Sequence, residues 1–323
     1  MALLATAQPA LSQRFDGFNV IVAPGHLFGS ASARESLAAA KRAGAAAVAV
    51  VPFLWQRSPR HDEIVRGDDM SDAELRLAIR DARALGLKVI VKPHVWVDGS
   101  WAGAVDPPTP EARSLWFDRY RGEIARIARV AAEERADAFS IGTELKLTTQ
   151  HPQWREIIVA ARAAFAGTLL YVAHNVEEAE AVEFWPYLDA VGVSLYPPLG
   201  GDRDRDKRRS VMAGVAERLD RLAERLGKPV IVAEIGLRSA SGASAKPWES
   251  AEERVAAPDP TLQADVLADW LAVLDRPAIG GVLIWRWFTD PAAGGLADTD
   301  FTVQGKPAER ILACWPPQGD CRR

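Results

Sequence analysis

Short apolar runs alternate along the chain with longer stretches in which apolar positions recur every three or four residues. The runs have the pattern of strands and the stretches that of amphipathic helices. Runs at 17–23 (GFNVIVA), 46–53 (AAVAVVPF), 87–93 (LKVIVKP), 138–143 (AFSIGT), 168–173 (TLLYVA), 188–195 (LDAVGVSL), 229–233 (PVIVA) and 281–287 (GVLIWRW) predict eight strands. Between and after them, 32–43, 71–85, 110–134, 154–165, 177–184, 207–226, 260–274 and 306–314 predict eight helices. Two helix boundaries are signalled locally. Ser71 with Glu74 has the spacing of a capping box, in which side chain and backbone satisfy each other's donors at the first turn. Gly227 follows the last periodic residue of 207–226, where a glycine can take the left-handed conformation that closes a helix.

The strand runs are rich in Val, Ile and Leu rather than strictly alternating, as expected for parallel strands covered on both faces. From the first run to the eighth the spacing averages about 38 residues, the size of a βα unit with generous loops. No glycine-rich phosphate-binding turn follows the first strand, which disfavours a dinucleotide fold. The expected architecture is α/β, a single (β/α)8 TIM barrel. It should occupy residues 15–315, between a flexible start or signal remnant at 1–14 and a tail at 316–323.

Composition adds exclusions. The chain has 323 residues, 48% hydrophobic and 25% charged, enough apolar material for a large core and too much for a disordered chain. Its formal net charge of −4 offers no basic excess for a phosphate backbone, so nucleic acid is not an expected partner. No apolar stretch is long enough to span a membrane. Residues 1–7 are small and apolar and include Ala5-Thr6-Ala7, like the end of a signal peptide, although no Lys or Arg precedes them. A periplasmic or secreted location is the expectation, with a cytoplasmic one left open. Cys314 and Cys321 bracket a turn-prone segment, compatible with a small disulfide loop or with two free thiols.

In barrels of this kind the chemistry lies at the C-terminal ends of the strands. Glu144 follows the fourth run and Glu234 the seventh, each the first acidic residue after an apolar strand. Strands four and seven lie nearly opposite, so both carboxyls can reach one cleft. Such a pair can cleave a glycosidic bond: one protonates the leaving oxygen and the other attacks the anomeric carbon. The alternative is that each is held in a salt bridge. Six of the 11 tryptophans (Trp55, Trp96, Trp101, Trp248, Trp285 and Trp287) fall at or after strand ends, where indoles can stack on sugar rings. About half of them are expected to be packing residues instead. Other polar candidates at strand ends are Asn19, Lys92, His94, Thr143, Asn175, Tyr196 and Arg238. No metal-binding histidine pattern or nucleophilic serine elbow occurs, so neither metal nor cofactor is expected.

The segments Ile141-Gly142-Thr143-Glu144-Leu145 and Val232-Ala233-Glu234-Ile235-Gly236-Leu237-Arg238-Ser239 resemble glycoside hydrolase family 113. So do Val91-Lys92-Pro93-His94-Val95-Trp96, Ser194-Leu195-Tyr196-Pro197-Pro198-Leu199, Ile284-Trp285-Arg286-Trp287 and Gly305-Lys306-Pro307-Ala308. The resemblance covers nearly the whole chain. It implies a retaining, endo-acting hydrolase of β-1,4-mannan, with Glu144 as acid/base and Glu234 as nucleophile. It further implies that Trp285 floors the cleavage subsite, that Tyr196 holds the nucleophile, and that His94, Trp96 and Asn175 contact hydroxyls. Glu144 is expected to have a raised pKa. The wider clan carries Asn before the acid/base, where this chain has Thr143, so Asn175 is a candidate for the sugar 2-hydroxyl. Action on another exopolysaccharide or β-glucan, transfer to a sugar acceptor, and non-catalytic glycan binding are the alternatives.

Overall fold

A computed structural model describes residues 14–67 and 70–315. The expectations for the start of the chain, for the tail from 316 and for a Cys314–Cys321 pairing lie outside the described residues. Eight parallel strands close into a barrel: β1 (Gly17–Ile21), β2 (Ala47–Val50), β3 (Lys88–Val91), β4 (Ala138–Thr143), β5 (Thr168–His174), β6 (Ala190–Leu195), β7 (Val230–Ile235) and β8 (Ile279–Phe288). Each pairs with its sequence neighbours, and β8 pairs with β1. The strands are buried along nearly their whole length, which is why their runs read as continuously apolar.

The strand alternation sorts those apolar residues into two cores. Ala47, Ala49, Ile90, Ala138, Leu170, Val172, Ala190, Ile231 and Leu283 belong to one cluster, the barrel interior. Val48, Val50, Val89 and Val191 belong to a second, larger cluster shared with the helices. Alanines are frequent in the first cluster because the space inside an eight-stranded barrel is only wide enough for close-packed side chains.

Among the described residues seven α-helices surround the barrel: α1 (Ala31–Arg42), α2 (Asp72–Ala84), α3 (Pro110–Glu133), α4 (Trp154–Ala164), α5 (Asn175–Ala181), α6 (Arg205–Leu226) and α7 (Pro260–Val273). The eighth position holds a 3₁₀ helix, Pro307–Cys314. At α2 the capping box is complete: Ser71 Oγ accepts from Glu74 N, and Glu74 accepts from Ser71 N. Gly227 closes α6 at φ 63°, a conformation costly for any residue with a Cβ. The predicted helix at 177–184 is displaced toward the N-terminus, and a separate 3₁₀ turn, Trp185–Tyr187, follows. Pro186 lies inside that turn, and the helix ends before it.

Beyond the ends of β2 and β3 the chain builds a small second sheet. Phe53–Gln56 pairs in parallel with His94–Val97 and antiparallel with Val65–Arg66. It extends one side of the barrel mouth and sets Trp55 directly opposite Trp96.

Candidate active site

The fourth strand delivers Glu144 through a strained turn. Glu144 has φ 56°, uncommon for a residue with a side chain. The conformation is held by a 2.7 Å hydrogen bond from its N–H to the carbonyl of Val172 on β5. Its carboxyl is nearly buried. Oε1 accepts from the Ser194 hydroxyl on β6 and from Nδ1 of His174, 3.0 Å away at the end of β5. Oε2 lies 3.9 Å from Nε2 of His94.

On the opposite side, Glu234 is part of β7 and is 3% exposed. Lys92, fully buried just past the end of β3, donates its ammonium to Oε1. The Tyr196 hydroxyl, just past β6, donates to Oε2 at 3.0 Å. Both oxygens are therefore engaged, and the charge is balanced where water cannot screen it. The Lys92 ammonium also lies 5.1 Å from the centroid of the Trp285 ring, so the half-buried indole of β8 is next to the same carboxylate.

The electrostatics of the two sides differ. Burial works to raise the Glu144 carboxyl, but the His174 hydrogen bond and charge, with help from the Ser194 hydroxyl, bring it below the usual carboxylate range. The expected upward shift is therefore reversed: donors around a buried acid stabilise its charged form more than burial penalises it. Burial works against charge on His174 as well, yet its bond to Glu144 and the charge of that group raise it. His94 is lowered, chiefly by burial. Tyr196 is raised well above its ordinary value by burial and by the negative charge of Glu234, so it remains a neutral donor.

Several residues chosen from their positions at strand ends find other partners. Asn19 is fully buried and donates to Ala233 O at 2.9 Å, tying β1 to β7. Thr143 is fully buried and donates to Pro93 O at 3.0 Å, tying β4 to the chain after β3. Arg238 is 1% exposed and donates to the carbonyls of Thr299 and Ser250, so it holds the long loop after β7 in place. Trp287 is also 1% exposed, packs on Phe18 at 4.8 Å and donates to Ser36 on α1. Asn175 has both ends of its amide engaged, accepting from Tyr196 N at 2.8 Å and lying 3.0 Å from His174 Nε2. By contrast Lys92, His94, Tyr196 and Trp285 gather around the two glutamates, and Trp96 stands exposed at the edge.

Three further residues belong to the site. Ser194 is the one hydroxyl in an otherwise apolar strand, and that contrast was its sequence signal. His174 ends β5, and the exposed indole of Trp101 meets its ring edge-on at 4.8 Å. Glu178 on α5 is 2% exposed and accepts from Tyr171 OH at 2.6 Å and from His174 N at 2.7 Å. Burial pushes this carboxyl up to about 7. Among the described residues no group of three or more His, Cys, Asp or Glu could hold a metal ion.

A parallel eight-stranded barrel with buried glutamates at the ends of its fourth and seventh strands has the arrangement of a glycoside hydrolase. The model of Glycoside Hydrolase Family 113 matches residues 18–306, and the chain belongs to that family. It is similar to the GH113 β-mannanase AaManA from Alicyclobacillus acidocaldarius, solved in complex with ManMIm, at 29% identity and a TM-score of 0.82, covering 93% of this chain and 96% of that one. A GH113 β-1,4-mannanase, also solved as a complex, is 27% identical with a TM-score of 0.81, covering 93% and 98%. A β-glucuronidase from Ruminococcus gnavus shares the fold at 13% identity and a TM-score of 0.62, covering 93% of this chain and 49% of its own. No functionally curated protein matches the sequence.

Proposed function

We propose that the protein hydrolyses β-1,4-mannan-type polysaccharide internally and with retention, using Glu234 as nucleophile and Glu144 as acid/base. The observation that carries this reading is the different dressing of the two carboxyls. Glu234 has an ammonium on one oxygen and a phenol on the other, which suits a group that must stay ionised to attack carbon. Glu144 has donors only on Oε1. Its Oε2 faces the neutral side of His94, and that oxygen is the one available to a glycosidic oxygen.

In the first step Glu234 attacks the anomeric carbon as Glu144 protonates the departing oxygen, giving a glycosyl-enzyme. In the second, Glu144 takes a proton from water, whose oxygen bonds to the anomeric carbon as the bond from that carbon to Glu234 breaks. Tyr196 and Lys92 hold the carboxylate in line and take up its negative charge again when it departs. Trp285, beside the nucleophile, supplies an apolar face for the ring being cleaved. Trp101, Trp96 and Trp55 are 41%, 49% and 37% exposed. Trp101 stands against His174, and Trp55 and Trp96 lie side by side on the small sheet with ring centroids 5.8 Å apart, exposed indoles that suit an extended chain better than a monosaccharide. The mannanase similarity, over 93% of this chain and 96% and 98% of the two mannanases, supports the choice of sugar.

The test is reducing-sugar release from a panel of β-linked polysaccharides that includes mannan and glucomannan, by wild type, Glu144→Gln and Glu234→Gln. Release from mannan by wild type alone is expected, with Glu234→Gln still binding the polymer. Release from another β-glycan alone would keep the chemistry and replace the substrate. Binding without release by wild type would overturn the enzymatic reading.

A further inference from the structure

We propose that Asn175 decides where the acid proton of this site resides, by forcing His174 to remain a neutral imidazole protonated only at Nδ1. The inference deepens the proposed acid/base role of Glu144 and rests on it.

Three hydrogen bonds have directions that fix the ring. The backbone N–H of Tyr196 can only donate, and it meets Asn175 Oδ1 at 2.8 Å. That contact fixes the amide, so the NH₂ group is the end that faces His174 Nε2 at 3.0 Å. An amide NH₂ is donor-only, so Nε2 must present its lone pair. The ring proton is then on Nδ1, where it is donated to Glu144 Oε1 at 3.0 Å. An imidazolium would set an N–H of His174 against an N–H of Asn175.

Two protonation states hold the same number of protons. In one, imidazolium faces carboxylate. In the other, neutral imidazole donates to a carboxylic acid whose own proton lies on Oε2. Charge alone favours the first, as the opposite shifts of His174 and Glu144 show. Only the second can protonate a leaving group, and the Asn175 amide opposes the first. A separate contact agrees. His94 Nδ1 lies 3.1 Å from the carbonyl of Val95, which requires a proton on Nδ1, and burial disfavours a second proton on this ring, so Nε2 turns a lone pair toward Glu144 Oε2. A hydroxyl there is compatible with that lone pair, whereas a carboxylate oxygen is repelled by it.

The backbone supports the same assignment. Asn175 has φ 56°, and among the described residues only Arg135 and Glu144 are the other non-glycine residues with positive φ. The amide is thus held beside the ring by a turn that asparagine tolerates better than most residues. The remaining charged groups around the pair are Glu178, which accepts from the backbone of His174, and Lys146 on the turn after β4. Glu234 lies beyond His94 and is paired with Lys92. None of these meets Nε2. Asn175 is accordingly a positioning residue: it acts through His174 on Glu144. During the reaction the Oε2 proton passes to the leaving oxygen while the C1–O bond breaks and the C1–Glu234 bond forms. His174 keeps its single proton throughout.

The test uses Asn175→Asp, which keeps the acceptor for Tyr196 N–H and tolerates the same turn but turns a carboxylate toward Nε2. In wild type, ¹⁵N–¹H spectra of histidine-labelled protein, with His174 assigned by loss of its signal in His174→Gln, should show a neutral Nδ1–H ring even at about pH 5.5, below the free imidazole value. In Asn175→Asp the ring should be an imidazolium at the same pH. The basic limb of kcat/KM on mannan should then move down by about one pH unit, because a cation beside Glu144 favours its ionised form. Above that limb activity should fall about tenfold through kcat, with KM little changed. An imidazolium in the wild type would overturn the inference, and needs no variant to be seen. So would an identical ring state and pH profile in both proteins. The spectra require no substrate, so a failure of the mannan reading is seen separately, in the polysaccharide panel.

Discussion

Glu144 and Glu234 show how two identical side chains are set in different states by their neighbours. Lys92 and Tyr196 occupy both oxygens of Glu234, while Ser194 and His174 share a single oxygen of Glu144. Replacing Glu144 by Gln should lower kcat on mannan by about 10²–10⁴-fold, the usual worth of a positioned acid, as measured by steady-state kinetics. Lys92→Met should be costly to the fold as well as to activity. It strips a buried carboxylate of the cation paired with it, which costs about 3–5 kcal/mol, and urea unfolding should register it. An unchanged midpoint would mean that the pair contributes nothing to stability. Glu178 offers a pH test. Its folded pKa is raised from 4.5 to about 7, so between those values the folded state holds the proton more firmly than the unfolded chain. Stability should therefore be lost as pH rises from 4.5 through 7, by an amount on the order of 3 kcal/mol. Glu178→Gln, followed by thermal unfolding across that range, should flatten the dependence.

At the scale of elements, the strands were legible because burial on both faces leaves few polar interruptions, and the first carboxylate after each apolar run marked the barrel mouth. What could not be read was which way a strand-end side chain faces. Trp285 and Trp287 are two residues apart, so simple alternation places them together. In the pairing of β1 with β8, however, Phe18 opposes Ile284 and Val20 opposes Trp287, so β8 fits one residue more than β1 into the same interval. That extra residue breaks the alternation, and Trp287 packs on Phe18 while Trp285 stays by Lys92 and Glu234. A similar shift between Ser140 and Thr143 on β4 precedes Glu144, and Thr143 is turned to the carbonyl of Pro93. The small sheet was hidden for another reason: its strands are only two to four residues long, and its longer members pair across a wide gap in sequence. If that sheet presents the polymer to the cleft, Trp96→Ala should raise KM on mannan about five- to tenfold, roughly 1 kcal/mol of stacking, with kcat nearly unchanged. Equal kinetics in the two proteins would remove Trp96 from the binding surface.

The whole molecule separates support from chemistry. Clusters such as Asp269 with Arg205, Arg208 and Arg209 join helices on the outside, while the polar side chains at the mouth either gather around the two glutamates or hold the elements that carry them. Asn19, Thr143 and Arg238 belong to the holding class: each ties one strand end or loop to another through a backbone carbonyl. This is why the barrel and its two glutamates could be anticipated from sequence, whereas the supporting contacts required three dimensions. The central claim is that these two glutamates cleave β-mannan by double displacement. The most direct measurement is ¹H NMR of the anomeric protons during the first turnover of a manno-oligosaccharide. The β-anomer of the new reducing end should appear first and equilibrate later by mutarotation. The α-anomer appearing first, or no new reducing end at all, would contradict the account.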